Sequence, residues 1–126
     1  VYDLREDPRR LRLVLPDEQV KKVRYVPGDV TDLKAFAAAL KEHGITHVIH
    51  LAGLQVPTCR TDPMLGATVN VLGTLAVFEA VKSLGKQVQR VVYASSAAVF
   101  GGPDKYPGGP LADDVLLVPS THYGVF

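Results

Sequence analysis

The hydrophobic residues of this chain alternate between short β-favouring runs and longer stretches with helical spacing. Three runs are too short for helices and are predicted to be strands: 22–27, 46–51 and 90–95. The last two are predicted to be buried, and 46–51 is apolar enough to be covered on both faces. Residues 1–3 have the pattern of a strand end, and 101–119, rich in proline and glycine, is predicted to be loop.

Two helices are predicted between these strands from their spacing and their end signals. In the first, Thr31 is a natural N-cap, apolar residues recur every three or four positions, and Gly44 ends the segment. In the second, Asp62 and the proline after it begin the helix, and Gly85 ends it.

The order strand, helix, strand, helix, strand is typical of a parallel sheet with right-handed crossovers. The fold class is therefore predicted to be α/β. Ligands of such sheets bind at the carboxyl ends of the strands. The positions at those ends are Asp3, Asp29, 51–55 and 94–96.

Composition and charge narrow the possible partners. The chain has 126 residues, 47% of them hydrophobic, and a formal net charge of +1, as in one soluble domain or a piece of one. No basic block is present to neutralise phosphates, so nucleic acid is not expected as a partner. Gly, Pro or charge interrupts every apolar run before the roughly 20 residues that cross a bilayer, so no membrane span is expected. With Cys59 as its single cysteine, the protein is expected in a reducing cytoplasm.

Two kinds of catalytic site are not indicated. The four histidines show no paired metal-ligand spacing, so no metal site is predicted. Ser95 and Ser96 follow a predicted strand but lie outside a G-x-S-x-G sequence, which argues against an acyl-transfer hydrolase.

Several polar residues near the strand ends have both a functional and a structural interpretation. Asp3 is suited to bind the ribose hydroxyls of an adenosine, or to form a turn. Asp29 is suited to meet an adenine, or to begin a helix. Asn70 lies in an apolar helix, where its amide needs a partner, either in a site or in a structural helix-to-loop bond. Ser95 and Ser96 offer hydroxyls at a strand end, or simple caps.

In order and spacing, these pieces resemble the NAD-dependent epimerase/dehydratase family, the extended branch of the short-chain dehydrogenases/reductases. The segments that carry the resemblance are Asp3, Gly28-Asp29-Val30, His50-Leu51-Ala52-Gly53, Asn70-Val71-Leu72-Gly73-Thr74, Ser95-Ser96-Ala97-Ala98-Val99-Phe100-Gly101 and Tyr123. Sugar-nucleotide 4-epimerases are among the most similar patterns. The resemblance implies a Rossmann-type doubly wound parallel sheet with NAD as the cofactor.

The resemblance also implies roles for individual residues. Those implied to bind the cofactor are Asp3, Leu4, Asp29, Val30, Leu51, Ala52, Gly53, Gln55, Asn70, Ala94, Ser95 and Tyr123. Asp3 favours NAD over NADP because its carboxylate repels a 2′-phosphate, whereas the nearby Arg5 weakens that preference. Tyr123 matches the base that removes a proton from a substrate hydroxyl, and Ser96 matches the hydroxyl that holds that oxygen.

Two parts of the family pattern are missing from this sequence: the glycine-rich phosphate loop of the first strand, and the lysine of the Y-x-x-x-K motif. The chain is therefore interpreted as an internal fragment, residues 1–126 of a partial NAD-binding domain truncated at both ends. In the usual strand order 3-2-1-4-5-6, the missing first strand would separate the strands at Asp3 and Asp29 from those at Leu51 and Ala94. The isolated chain is predicted to be inactive, to lack a cooperative unfolding transition and not to bind NAD.

Three functions remain open at the level of sequence. The first is an epimerase or dehydratase that acts on a nucleotide sugar through transient hydride transfer to nicotinamide. The second is a dehydrogenase or reductase of a non-sugar alcohol or ketone, and the third is a non-catalytic nucleotide-sensing module. A small-molecule substrate is expected in the first two. A homodimer through the helix 63–84 and the one beginning near Tyr123 is implied by the resemblance alone.

Overall fold

The strands and helices below come from a computed structural model that describes residues 1–106 and 108–126. The strands are β1 (Tyr2–Asp3), β2 (Val26–Pro27), β3 (His47–His50) and β4 (Arg90–Tyr93). The α-helices are α1 (Asp17–Val20), α2 (Leu33–Glu42), α3 (Val56–Thr61), α4 (Pro63–Ala67), α5 (Gly73–Ser83) and α6 (His122–Val125). A π-helical segment, Thr68–Leu72, joins α4 to α5, and 3-10 turns lie at Leu11–Leu13, Ala97–Val99 and Pro103–Lys105.

The strands form two separate parallel pairs. β1 pairs with β2, with Tyr2 opposite Val26, and β3 pairs with β4, with His47 opposite Arg90 and His50 opposite Tyr93. No ladder joins the two pairs within the described residues. The prediction of an α/β fold is confirmed, and so is the predicted separation of the strands at Asp3 and Asp29 from those at Leu51 and Ala94. The predicted strand 22–27 is shorter in the structure, because β1 offers only two residues with which to pair.

The predicted burial of the second strand pair is wrong on one face. Along β3, Val48 and His50 are buried while His47 and Ile49 are exposed, and along β4 Val92 is exposed as well. Successive side chains of a strand point to opposite faces, so one face of this pair is covered and the other is open. The sequence shows that these residues are apolar, but not how many layers cover them.

The core lies where α2 and α5 pack together against β3. Its buried residues are Phe36, Leu40, Val48, Val77, Ala80 and Val88. Phe36 and Leu40 lie one turn apart on α2, as Val77 and Ala80 do on α5, so each helix presents an apolar stripe to the other. The ring of Tyr2 contacts that of Phe36 edge to face, with centroids 5.0 Å apart, which connects β1 to the same core.

The ends of the two predicted helices follow from local hydrogen bonds. Asp32, not the predicted Thr31, caps α2, because its carboxylate accepts the backbone N–H of Ala35 at 3.0 Å. Gly44 follows α2 with φ of 59°, a left-handed conformation that favours glycine, and so ends the helix as predicted. Asp62 caps α4 as predicted, accepting the N–H of Leu65 at 2.9 Å.

The second predicted helix is a continuous helical stretch from Pro63 to Ser83. Its 21 residues include a window of mean hydropathy 1.6, so by length and composition alone it could cross a membrane. One face is buried in the protein, including Gly73, Val77 and Ala80. About 33% of that window is buried, as in a helix that packs one face against a core and leaves the other exposed. The stretch is long and apolar enough for a membrane span, although it contains glycines and charged residues that were expected to interrupt any such span.

The chain after β4 is largely irregular, as predicted for 101–119. The hydroxyl of Tyr106 donates to the carbonyl of Leu116 at 2.9 Å and accepts the N–H of Val118 at 3.1 Å. Pro107, within the predicted loop, lies outside the described residues. The two bonds of Tyr106 hold the far end of this loop close to its beginning, just before the chain enters α6.

Candidate functional site

The carboxyl ends of β3 and β4 open into a cavity of about 480 Å³. The predicted site residues that line it are Leu51, Ala52, Gly53, Gln55, Asn70, Ala94, Ser95, Ser96 and Tyr123. The remaining lining residues are His50, Thr74, Tyr93, Val99, Gly124, Val125 and Phe126. The structure therefore brings these predicted residues around one cavity, and it adds His50, Thr74 and Gly124, which were not among the predicted site residues.

Ser96 has a fixed orientation at the edge of this cavity. Its Oγ accepts the backbone N–H of Ala98 at 3.2 Å and thereby caps the 3-10 turn Ala97–Val99. A hydroxyl that accepts one bond still has its own proton to give. Ser96 is thus arranged to donate a hydrogen bond to an oxygen in the cavity.

Tyr123 reaches the same cavity because α6 packs closely on that 3-10 turn. Thr121 caps α6 by accepting the N–H of Gly124 at 3.0 Å, so the short helix has a defined start. A methyl group on Gly124 would overlap the carbonyl oxygen of Ala98. The absence of a side chain at Gly124 therefore permits the approach that places Tyr123 and Ser96 around one space.

Asn70 holds the loop that forms one wall of the cavity. Its Oδ1 accepts the N–H of Leu54 at 2.7 Å, and its Nδ2 donates to the carbonyl of Leu54 at 3.0 Å. The thiol of buried Cys59 contributes a weaker bond to the same carbonyl at 3.4 Å. Asn70 thus makes the structural helix-to-loop bond that the sequence left open, and it does so from within the π-helical segment, at the wall of the cavity.

His50 and Thr74 form a partly buried polar contact in the lining of the cavity. The Nε2 atom of His50 lies 2.9 Å from the Oγ1 of Thr74, and the His50 side chain is stacked on the ring of Tyr93. Burial lowers the pKa of His50 from its ordinary value, which favours the neutral imidazole. The signal for this residue in the sequence was a polar residue at a buried position of an apolar strand.

Asp3, Leu4, Asp29 and Val30 do not line this cavity, since they lie at or after the ends of the strands of the other pair. The carboxylate of Asp29 accepts the N–H of Thr31 at 2.9 Å and its hydroxyl at 2.8 Å. These bonds stabilise the anion and lower the pKa of Asp29. Asp29 therefore has the structural role of ordering the entry to α2, whereas Asp3 and Leu4 are exposed.

One close contact beside the site joins the segment that follows β2 to the start of α5. Gly73 lies against Val30, so that a methyl group on Gly73 would approach Cγ1 of Val30 to 2.9 Å. Because Gly73 directly follows the π-helical segment, Val30 lies beside the end of that segment.

Charge and metal chemistry are limited at this cavity. Its described lining contains no Lys, Arg, Asp or Glu. Within residues 1–106 and 108–126, no group of three His, Cys, Asp or Glu side chains is arranged to hold a metal ion. The side-chain chemistry of this lining is therefore that of hydroxyls, phenols, amides and one imidazole.

Comparison with known proteins gives a consistent set of relatives. A family model described as GDP-mannose 4,6 dehydratase matches residues 5–125. D-erythronate dehydrogenase from Cupriavidus necator is 36% identical over 104 residues, which cover 82% of this chain and 31% of that protein. UDP-glucose 4-epimerase from Klebsiella pneumoniae is 32% identical over 100 residues, covering 79% of this chain and 70% of that sequence.

A solved structure agrees with these sequences. UDP-glucose 4-epimerase from Stenotrophomonas maltophila, with bound NAD and formylated UDP-arabinopyranose, superposes with a TM-score of 0.72 at 28% identity, covering 86% of this chain and 32% of that one. The chain thus spans about a third of the length of this structure and of the erythronate dehydrogenase. With the family model matching nearly the whole sequence, the resemblance is confirmed: the chain belongs to the NAD-dependent epimerase/dehydratase family, the extended branch of the short-chain dehydrogenases/reductases.

Proposed function

We propose that this chain supplies the nicotinamide-facing part of the active site of an NAD-dependent enzyme that oxidises a substrate alcohol. The observation that carries the proposal is the shared cavity of Ser96 and Tyr123 at the carboxyl edge of β3 and β4. This edge is where parallel sheets bind their ligands. A non-catalytic sensing module would have no need for the two hydroxyls to converge.

The cavity fits one end of a dinucleotide. Its size, about 480 Å³, lies within the roughly 300–1,000 Å³ of small-molecule sites. The wall formed by Ala52, Gly53 and Ala94 carries small side chains, so a planar ring can approach the backbone. When bound there, NAD would supply the hydride acceptor that no side chain can replace. Leu51, Gln55, Asn70 and Ser95 would surround the same end of the cofactor.

The adenosine end of the cofactor is proposed to lie along the other strand pair. Asp3 ends β1 and Leu4 follows it, and Asp29 and Val30 follow β2, at the same edge. The exposed carboxylate of Asp3 would accept hydrogen bonds from the ribose hydroxyls and would repel a 2′-phosphate. The solved relative from Stenotrophomonas maltophila contains NAD, which supports this choice of cofactor.

Ser96 and Tyr123 are proposed to divide the proton chemistry between them. Ser96 donates a hydrogen bond to the substrate oxygen and holds that oxygen in place, while the phenolate of Tyr123 takes up the proton of the same hydroxyl as the hydride passes to NAD. A free phenol ionises only near pH 10, so its anion needs a neighbouring cation at neutral pH. Because the described lining carries no charged side chain, that cation has to come from outside these lining residues.

A nucleotide sugar is the proposed substrate, since epimerases of UDP-glucose are among the relatives by both sequence and structure. A non-sugar hydroxy acid is the second candidate, favoured by the 36% identity to D-erythronate dehydrogenase. Both would use the same two hydroxyls. The two differ in what becomes of the hydride, which the epimerase returns to the substrate and the dehydrogenase releases as NADH.

The test is to incubate the full-length polypeptide that carries this chain with NAD and either UDP-sugars and GDP-mannose or D-erythronate. An altered sugar nucleotide without net NADH would support the first candidate, and stoichiometric NADH with the hydroxy acid the second. Tyr123→Phe and Ser96→Ala are each expected to lower the rate by about 100-fold or more. NAD binding with no turnover of either substrate class would overturn both and support the sensing module.

The domain and its partners are part of the proposal. We propose that the chain is a partial NAD-binding domain whose two strand pairs are joined by a further strand, since each pair is separate here. Leu72, Leu75 and Phe78 are exposed on the long helical stretch, which supports a homodimer through this surface. We also propose that the substrate is a small molecule, that the protein is cytoplasmic, and that it has no nucleic-acid or membrane partner.

A further inference from the structure

We infer that His50 and Thr74 are positioning residues that hold the wall of the cofactor cavity against the π-helical turn of Asn70. The inference rests on the proposed function, because it assigns a role within the same site. Neither residue offers a group that the reaction consumes. Their contribution is to fix the backbone of residues 51–54, on which the cofactor would lie.

The loop 51–54 is attached to a single helical turn at both of its ends. At its start, His50, the last residue of β3, contacts Thr74 through Nε2 at 2.9 Å. At its end, Leu54 is bound through both its N–H and its carbonyl to the side chain of Asn70. Thr74 and Asn70 are themselves joined, since the Thr74 hydroxyl donates to the Asn70 carbonyl at 2.6 Å. Together these hydrogen bonds form a closed cycle that includes the loop.

Counting protons fixes the direction of the chain of bonds. The hydroxyl of Thr74 has one proton, and it goes to the Asn70 carbonyl oxygen. Thr74 must therefore accept from His50, so the proton of the neutral imidazole resides on Nε2. A replacement for His50 preserves these contacts around the loop only if it places an N–H donor at the position of Nε2.

The surroundings of His50 keep its ring in place. The residue is only 4% exposed, and its ring is stacked on Tyr93 with centroids 5.6 Å apart and an interplanar angle of 19°. Tyr93 is the residue opposite His50 in the register of β3 and β4. The imidazole thus contacts the strand pair on one side and the helix on the other. It therefore fixes the helical turn relative to the sheet.

The helix is irregular at this turn. Residues Thr68–Leu72 form a π-helical segment, in which the N–H of Gly73 bonds to the carbonyl of Thr68. Single π turns within α-helices often occur at functional sites, because the wider turn redirects side chains. Here the redirected side chain is Asn70, and the Thr74 hydroxyl binds its carbonyl oxygen from the next turn. Without that bond the turn loses a support on the side that faces the loop.

The experiment compares matched substitutions in the full-length polypeptide. His50→Phe keeps a ring on Tyr93 but removes the donor, whereas His50→Gln keeps an N–H at the position of Nε2. Thr74→Val removes the hydroxyl at nearly constant shape, whereas Thr74→Ser retains it. We expect His50→Phe and Thr74→Val to raise the Kd for NAD about tenfold, and the two conservative variants to stay within about twofold of the wild type.

The double variant His50→Phe/Thr74→Val tests whether the two residues act as one unit. It is expected to bind NAD no more weakly than either single variant, because the same chain of bonds is already broken. Additive losses would overturn the inference. So would a wild-type Kd in His50→Phe together with a lowered Tm, since that result would make the residue purely a stabilising one.

Hydrogen exchange without cofactor keeps the inference separable from the proposed function. In Thr74→Val we expect the amide of Leu54 to exchange about tenfold faster, with the amides of α2 unchanged as an internal reference. If the wild type fails to bind NAD, the proposed function is wrong. The exchange measurement still decides whether the hydrogen bonds of His50, Thr74 and Asn70 hold the loop. Unchanged exchange at Leu54 would overturn the inference even where NAD binds.

Discussion

At the scale of single residues, the site depends on hydroxyls and an imidazole that can each donate a single hydrogen bond. Thr74 gives its proton to a carbonyl, which obliges His50 to be a donor, while Ser96 accepts a backbone N–H and keeps its own proton available. The functional capacity of each group is thus set by the bond that its neighbour has already made. A change in protonation at one of them alters the whole arrangement.

His50 should make the stability of the protein depend on pH. Burial lowers its pKa in the folded chain below the value of about 6.5 that it regains on unfolding. As pH falls below about 6.5, the unfolded chain binds a proton that the folded chain does not, so the free energy of unfolding decreases. This contribution is fully present above that pH and is lost as pH falls towards the folded pKa.

Urea unfolding of the full-length polypeptide at pH values from about 7.5 down to 5.5 measures this linkage. The wild type is expected to lose stability relative to His50→Gln on acidification, by no more than about 1.4 kcal/mol per pH unit for one proton. The other three histidines are present in both proteins and drop out of the comparison. Parallel pH profiles of the two proteins would show that His50 is protonated equally in both states.

At the scale of elements, hydropathy patterns and end signals located the helices well. Asp62, Gly44 and the apolar stripe of α2 could be found because each signal lies within a few residues of what it controls. The helix α3 was missed, since a six-residue helix beginning Val56-Pro57 has too few turns to show a period. The π-helical turn was also missed, because one extra residue per turn leaves no distinct pattern in an apolar helix.

The site itself was predicted unevenly for a related reason. Ser96 and Tyr123 were assigned from the family resemblance, and their common cavity required the packing of α6 on the turn Ala97–Val99, which lies 20 or more residues earlier in the chain. Thr31 was the predicted cap of α2, but its hydroxyl donates to Asp29, and Asp32 caps the helix instead. Contacts between distant segments leave the weakest trace in a sequence.

The packing of α6 leads to a prediction for Gly124. In Gly124→Ala, the added methyl group would overlap the carbonyl oxygen of Ala98, so α6 has to move away from the turn that Ser96 caps. Alanine favours a helix by about 1 kcal/mol over glycine, so a loss of activity would not come from a weaker helix. We expect kcat to fall at least tenfold, in steady-state assays of the full-length polypeptide on its substrate.

His122→Ala is the matched control for that variant. It lies on the same short helix, is exposed, and does not line the cavity at β3 and β4. Its kcat is expected to remain within about twofold of the wild type, as for an ordinary surface substitution. Equal activity of Gly124→Ala and the wild type would mean that the approach of α6 to Ala98 does not set the position of Tyr123.

At the scale of the whole molecule, residues 1–106 and 108–126 contain one small core and two strand pairs that are not joined to each other. The core is connected to β1 by the contact of Tyr2 with Phe36, and to the end of β2 by that of Val30 with Gly73. The outer face of the second pair is open, with Ile49 at 69%, Leu51 at 71% and Val92 at 50% exposure. In a parallel sheet, a further layer of helices normally covers such a surface of adjoining apolar residues.

This arrangement predicts that the 126-residue chain by itself lacks a cooperative unfolding transition and does not bind NAD. Parallel strands are stable when both faces are covered, and a two-stranded sheet rarely holds together alone. The adenosine and nicotinamide ends of the proposed site lie on different strand pairs, so a shift between the pairs would separate them. Circular dichroism in urea should show a broad, shallow change whose midpoint NAD leaves unmoved.

The full-length polypeptide is the control, with a sharp transition and a midpoint that rises with NAD concentration. A steep transition of the short chain, shifted upward by NAD, would contradict the prediction and would mean that these contacts suffice to align both pairs. A steep transition without a shift would separate folding from binding. It would show that the core of α2, α5 and β3 is stable on its own, while the site still requires a segment that connects β1 to β3.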